Sequence, residues 1–190
     1  MQNGSAMTTA SESLLTADDF RQLTDDGTPR ELVRGRVVRM NLPARRHGQI
    51  CVKIVRMLSR YLDVHDVGHL VSNDSGVVTE RGPDTVRGVD VAFFSYERVP
   101  RGPFPEGYLS VVPELVFEVR SPTDGWREVR SKAMEYLDAG VTTVCVVVAD
   151  RQEVHAYNNK VPDRVFKADE ELTLPEVLVE FRARVRSIFE

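Results

Sequence analysis

The sequence is short of several things, and each shortage excludes a class of protein. Only two of its 190 residues are cysteine, Cys51 and Cys145, and neither has a CxxC partner. That argues against a disulfide-stapled scaffold or a cysteine-rich zinc module. Each cysteine lies in an apolar, periodic segment, where a buried reduced thiol is the expectation. No apolar run approaches the roughly 20 residues that cross a bilayer, so no membrane association is expected. No basic stretch followed by an apolar one opens the chain. Its first residues, MQNGSAMTTASE, read as a disordered leader spanning 1–13, and the cytoplasm is the expected compartment. Lysine is scarce as well. Of 25 basic residues 21 are arginine and four are lysine, so any single lysine stands out. The net charge of −4 argues against nonspecific coating of nucleic acid and leaves room for a local basic groove.

What remains is an ordinary globular composition, 42% hydrophobic and 28% charged, long enough for one sizeable core. Residues 14–190 are expected to form a single domain. Thr16 followed by two acids marks a short first helix, and RELVRGRVVRMN alternates around Gly35 as a hairpin. Apolar residues at Cys51, Ile54, Val55, Leu58, Tyr61 and Leu62 share one face of a long helix over 47–62. HLVSNDSGVVTE and VRGVDVAFFS read as strands, and RVPRGPFPEGYLS as a surface loop. A second long helix carries Val129, Ala133, Tyr136 and Leu137 and stops at Gly140. VTTVCVVVAD is a strand buried on both faces, with QEVHAYN beside it. The order of elements predicts an α/β fold, a mixed β-sheet core flanked by helices, with a right-handed β-α-β crossover over 118–148. The tail after residue 165 mixes strand-like and amphipathic pieces.

The charged residues do not fit this pattern quietly. In PELVFEVRSP, Leu115, Phe117 and Val119 share one strand face, and Val116, Glu118 and Arg120 the other. A carboxylate on a central strand is costly without a compensating cation, proton or donor. Asp90 in GVDVAFF is placed in the same conflict, opposite Val89, Val91 and Phe93. Lys132 borders the sheet-facing stripe of the second helix and can reach toward Glu118. Glu31 offers a third carboxylate. Two or three carboxylates suit a hard cation such as Mg²⁺ or Mn²⁺, and a neighbouring ammonium can orient or deprotonate a water that attacks a phosphate.

ELVRG from Glu31, His47 at the first long helix, VDVAFF around Asp90, PELVFEVRSP and KAMEYLDAGV from Lys132 stand in an order that resembles the Uma2-like family of the PD-(D/E)xK nuclease superfamily. The likeness spans about 31–157. It implies a restriction-endonuclease-like fold and a Mg²⁺- or Mn²⁺-dependent endonuclease acting on nucleic acid, DNA favoured, by direct water attack. Asp90 and Glu118 match the metal-binding acids, Glu31 the N-terminal acidic position, and Lys132 a lysine that the wider superfamily carries on the strand. Here Arg120 fills that strand place and Val89 replaces the superfamily's proline. His47 and Arg120 are candidates for contacting substrate, and a homodimer is expected because cutting two strands calls for two sites.

Plainer readings stand beside these. Glu118 can pair with an arginine, Asp90 can cap the turn after Gly88, Lys132 can be surface charge, and His47 can be a satisfied histidine near a helix start. Ser121 and Pro122 suit a turn, and Trp126 suits packing. PARRHG, RVPRGPF and RARVR are candidate phosphate contacts. The competing function is a nuclease fold kept as a nucleic-acid or protein binding module, with weak or no cleavage; hydrolysis of a small phosphate compound is a third option.

Overall fold

A computed structural model describes residues 13–190. The leader expected over 1–13 falls, except for its last residue, outside the described residues. The chain opens with α1 (Ala17–Arg21), where Thr16 and Asp19 form a reciprocal capping box. The hairpin β1 (Arg30–Val33) and β2 (Arg36–Arg39) follows. Its turn holds Arg34 and Gly35 at φ 49° and 74°, the paired positive values that favour a tight two-residue hairpin. A side chain at Gly35 would meet Leu14 at 2.6 Å, so glycine is required there on two counts.

The long helix α2 (Arg45–His65) buries Ile54 and Leu58 of the predicted stripe together with Ile50, which is not among the predicted residues, while Cys51, Val55, Tyr61 and Leu62 are partly buried along its edge; the helix ends on Asp66 in the left-handed region. The antiparallel pair β3 (Gly68–Glu80) and β4 (Thr85–Ser95) then leads through the surface loop to β5 (Leu115–Val119). Helix α3 (Trp126–Asp138) carries the chain across to β6 (Thr143–Val148), which pairs parallel to β5 as the β-α-β reading requires. All six residues of β6 are buried, the outcome expected of a β-branched run covered on both faces. Strands β7 (Glu153–Asn158) and β8 (Arg164–Lys167) complete an eight-stranded sheet ordered β2-β1-β4-β5-β6-β7-β8, with β3 also on β4. The tail resolves into β9 (Glu171–Leu174), β10 (Leu178–Arg184) and a 3₁₀ turn, Val185–Ile188.

Two apolar layers result. Leu115, Phe117 and Val119 pack with α2, β9, β10 and the closing turn, while Val116 packs with Ala133, Tyr136 and Leu137 of α3. The alternation read in β5 therefore holds. In β4 it slips: Val91 and Phe93 join the α2 layer, but Val89 joins the α3 layer. Asp90 is thus not simply opposite all three, as strict alternation predicted. The slip has a partner across the ladder. Register jumps between Ser72↔Val91 and Ser75↔Val89, so that two residues, Asn73 and Asp74, stand against Asp90 alone, and they take φ 66° and 55°. This is a β-bulge, a device that bends a strand and re-aims its side chains.

Candidate active site

The slip and the bulge meet where β4 and β5 carry their acids. Asp90 lies one residue beyond the Val91↔Phe117 pair, and its Oδ2 accepts a 2.6 Å hydrogen bond from the Val119 amide. From the α2 side His47 Nε2 meets Asp90 Oδ1 at 2.9 Å. From the α3 side Lys132 Nζ donates to Glu118 Oε2 at 3.0 Å, and the Tyr136 hydroxyl donates to Glu118 Oε1 at 2.8 Å. Lys132 and Tyr136 are four apart on α3, the spacing that brings two side chains to one carboxylate. The two strand acids therefore lie between two helix-borne cations.

Glu31 closes the cluster from β1. Its Oε1 is 3.2 Å from Lys132 Nζ and accepts from the Gly88 amide at 3.1 Å, while its Oε2 accepts from Arg87 at 2.8 Å. Arg87 in turn makes a two-pronged pair with Glu135 at 2.9 and 2.6 Å. Gly88 matters in two ways. Its carbonyl accepts from Lys132 at 3.3 Å, and a side chain on it would press on the bulged Asp74 at 3.1 Å.

The electrostatics follow from this crowding. Burial pushes the Glu118 carboxyl up to about 7, with Asp90 adding to the effect and Lys132 and Tyr136 opposing it. Burial works against the Lys132 ammonium, yet Glu118 and Glu31 outweigh it and hold the amine above its ordinary value. The hydrogen bond to Asp90, helped by Cys51, raises His47 to about 10. Partial loss of water and then Asp90 raise the Asp74 carboxyl. Five carboxylates, Glu31, Asp74, Asp90, Glu118 and Glu135, share this region with three cations, His47, Arg87 and Lys132. With every carboxyl ionised the surplus is two negative charges; Glu118, raised to about 7, holds part of a proton near neutral pH, and a divalent cation would take that proton's place.

The structure thus brings Asp90, Glu118, Lys132, Glu31 and His47 together. Arg120 goes elsewhere: β5 has ended, and its guanidinium donates to the Asp124 carbonyl at 3.0 Å, lies 3.8 Å from Asp150 and sits 5.7 Å over Trp126. Its Nε is buried without a hydrogen-bond partner among the described residues. Ser121 takes a turn role, its hydroxyl beside Thr123 and its amide donating to Asp124, while Trp126 is exposed and lies edge-on to His155. Of the arginine clusters, RVPRGPF is engaged internally, Arg98 on Glu114 and loop carbonyls and Arg101 on Asp66. Arg46 of PARRHG donates to the Phe189 carbonyl and to Gln49. Cys145 is buried as expected, but Cys51 is only half-buried: one turn after His47, it stands beside the site and packs against the edge of the core.

Four contributors escaped sequence reading. Tyr136 belonged to the apolar stripe, and only its being tyrosine rather than phenylalanine hinted at a hydroxyl with work to do. Asp74 sat inside a strand whose Asn-Asp-Ser-Gly run is a turn signal, the one trace of the bulge. Arg87 and Glu135 had no signal beyond charge.

A twisted mixed sheet with a helix on each face, and acids converging at neighbouring strands beside a helix-borne lysine, defines the restriction-endonuclease-like class. A crystal structure of "a putative nuclease belonging to DUF820" from Anabaena variabilis shares this fold at TM-score 0.77, with 19% identity over 92% of this chain and 97% of that one. The chain belongs to the Uma2 family, described as "Putative restriction endonuclease", whose sequence model matches residues 17–186. No curated protein matches the chain. No described helix is long and apolar enough to cross a membrane.

Proposed function

We propose that this protein is a Mg²⁺- or Mn²⁺-dependent endonuclease that hydrolyses phosphodiesters of nucleic acid, DNA in the first instance, by direct water attack. One observation carries the reading: two strand acids, Asp90 and Glu118, meet within a cluster that holds more acids than cations and a half-buried lysine. An all-oxygen donor set with excess negative charge fits a hard divalent cation. Asp90 and Glu118 are the ligands in this reading. When bound, such a cation polarises the phosphate and lowers the pKa of a ligated water.

The chain's own residues do the rest. Lys132 is held protonated by Glu118 and Glu31, so it serves as an ammonium that orients water and offsets charge on the phosphate, rather than as the base. Both Glu31 oxygens are already shared among Lys132, Gly88 and Arg87, so its first task is to fix Lys132, and any ligation comes at the expense of those bonds. Tyr136 fixes the rotamer of Glu118. His47 sits in the first turn of α2, whose N-terminus has no side-chain cap and carries Arg45 and Arg46, a setting that favours phosphate. Arg120 reaches substrate only by giving up its hydrogen bond to the Asp124 carbonyl and its long pair with Asp150.

A groove of about 530 Å³ between α2 and β10 is lined by Lys53, Arg56, Arg60, Arg182 and Arg184 against a single acid, Glu180. It supplies the local basic surface that the net charge of −4 does not, and RARVR is the one predicted arginine cluster that lines it. A homodimer in the cytoplasm completes the proposal.

The test is cleavage of labelled single- and double-stranded oligonucleotides in Mg²⁺, Mn²⁺ or EDTA by wild type and Asp90→Ala. Metal-dependent cutting that vanishes in the variant, at an unchanged melting temperature, supports the reading. The engagement of Arg120 away from the acids favours a second one, a binding module; tight metal-independent binding with no turnover would establish it instead.

A further inference from the structure

The same corner of the fold offers a second donor set of different chemistry. His47 and Cys51 are four apart on α2, so both project from one face, and Asp90 of β4 stands against them. The imidazole nitrogen, the thiol sulfur and a carboxylate oxygen lie within 4.8 Å of one another. Two helix residues at this spacing plus a carboxylate is a recurrent way to hold zinc. The edges of a tetrahedral zinc site with one nitrogen, one sulfur and one oxygen ligand are roughly 3.4 Å, so side-chain adjustments alone close the set.

We infer that His47, Cys51 and Asp90 form a site for a thiophilic divalent cation such as Zn²⁺, Cd²⁺ or Co²⁺, with a fourth position open to water. The nitrogen and sulfur donors select against Mg²⁺, which prefers oxygen alone. The ion takes the place of the proton shared by His47 and Asp90 and of the Cys51 thiol proton, both of which pass to solvent. The site itself does not depend on the nuclease reading. One consequence does: since Asp90 belongs to both donor sets, filling this one withdraws a ligand from the other, and thiophilic ions inhibit cleavage supported by Mg²⁺.

The cysteine inventory makes the experiment clean, because Cys145 is fully buried and Cys51 is the only other thiol. Cd²⁺ is titrated into the wild type while the ultraviolet thiolate-to-metal charge-transfer band is recorded, and into Cys51→Ser and Asp90→Asn. One equivalent is expected to saturate the wild-type band. Cys51→Ser abolishes the band, and Asp90→Asn keeps it but weakens binding at least tenfold. No band in the wild type, an equal band in Cys51→Ser, or unchanged affinity in Asp90→Asn overturns the site. Cys51→Ala repeats the measurement should the serine variant fold poorly. Cleavage is assayed separately in Mg²⁺ alone, where Cys51→Ser matches wild type, and then with added Cd²⁺, where it resists inhibition at least tenfold better. A protein that binds Cd²⁺ as described but never cleaves would refute the nuclease reading and leave the site standing.

Discussion

Lys132 Nζ lies 3.0 Å from Glu118 on β5 and 3.2 Å from Glu31 on β1, so one helix residue ties together acids from two strands. The lysine comes fourteen residues after the glutamate, not two, and arrives from α3 rather than along the strand. What the chemistry needs is a cation at that point in space, and the crossover helix delivers it.

Lys132→Met should therefore lower the cleavage rate by about 10²- to 10⁴-fold, the usual weight of a single positioned donor or proton-handling group. At alkaline pH, where Glu118 is ionised with or without the lysine, affinity for Mn²⁺ should hold or rise, because the variant removes a competing cation from the acids; at lower pH the Glu118 carboxyl, no longer held down by Lys132, keeps its proton and weakens binding. Calorimetry alongside single-turnover kinetics separates the two. Loss of Mn²⁺ binding with the loss of rate at alkaline pH would mean that the lysine only holds the acids in place.

The pH dependence of stability has a definite sign. Glu118 is raised to about 7 in the folded protein from an ordinary value of 4.5, and His47 to about 10 from 6.5. A raised group stabilises the fold fully below its unfolded value and loses that contribution as pH climbs through its folded value. The metal-free protein should thus lose the Glu118 contribution between about pH 4.5 and 7, and that of His47 between about 6.5 and 10. Thermal melts of wild type and Glu118→Gln check this. The glutamine variant should show a flatter profile across the lower window, and parallel profiles would contradict the assignment.

Binding of Mn²⁺ should release protons in the same lower window, because the ion replaces the proton on Glu118. Calorimetry at pH 6 in buffers of different ionisation enthalpy counts them. The release should fall toward zero in Glu118→Gln.

Tyr136→Phe isolates a single hydrogen bond. Its hydroxyl favours the charged form of Glu118, so removing it raises the carboxyl further and shifts the acid limb of Mn²⁺ binding to higher pH. The rate should drop about tenfold, well short of the loss expected for Lys132→Met. An unmoved acid limb would reduce Tyr136 to packing.

Arg182→Ala with Arg184→Ala should weaken nucleic-acid binding similarly for all sequences. The salt slope should fall by about one for every phosphate that these arginines neutralise. Fluorescence anisotropy across a salt series reads the slope directly. An unchanged slope would put the nucleic acid outside this groove.

Much of this was legible in the chain. The stripes of α2 and α3, the two-faced burial of β6 and the N-cap at Thr16 are short-range patterns, and periodicity and local residue type report them. Asp90 and Glu118 could be found because a charge inside an apolar strand is a conflict visible in one dimension. The bulge at Asn73 and Asp74 was hidden, since a register shift is a property of two strands and not of one. The work of Tyr136 was hidden because an aromatic in an apolar stripe looks like packing until its hydroxyl is placed. Arg120 could not be located because the strand ends at Val119, where alternation ceases to say which way a side chain points.

The most direct test of the central claim is conversion of supercoiled plasmid by wild type and Glu118→Gln in Mn²⁺ and in EDTA, with the fold of each protein checked by circular dichroism. The account predicts nicked or linear product only for wild type with Mn²⁺. Equal cutting by the folded variant, or cutting by wild type in EDTA, would contradict it.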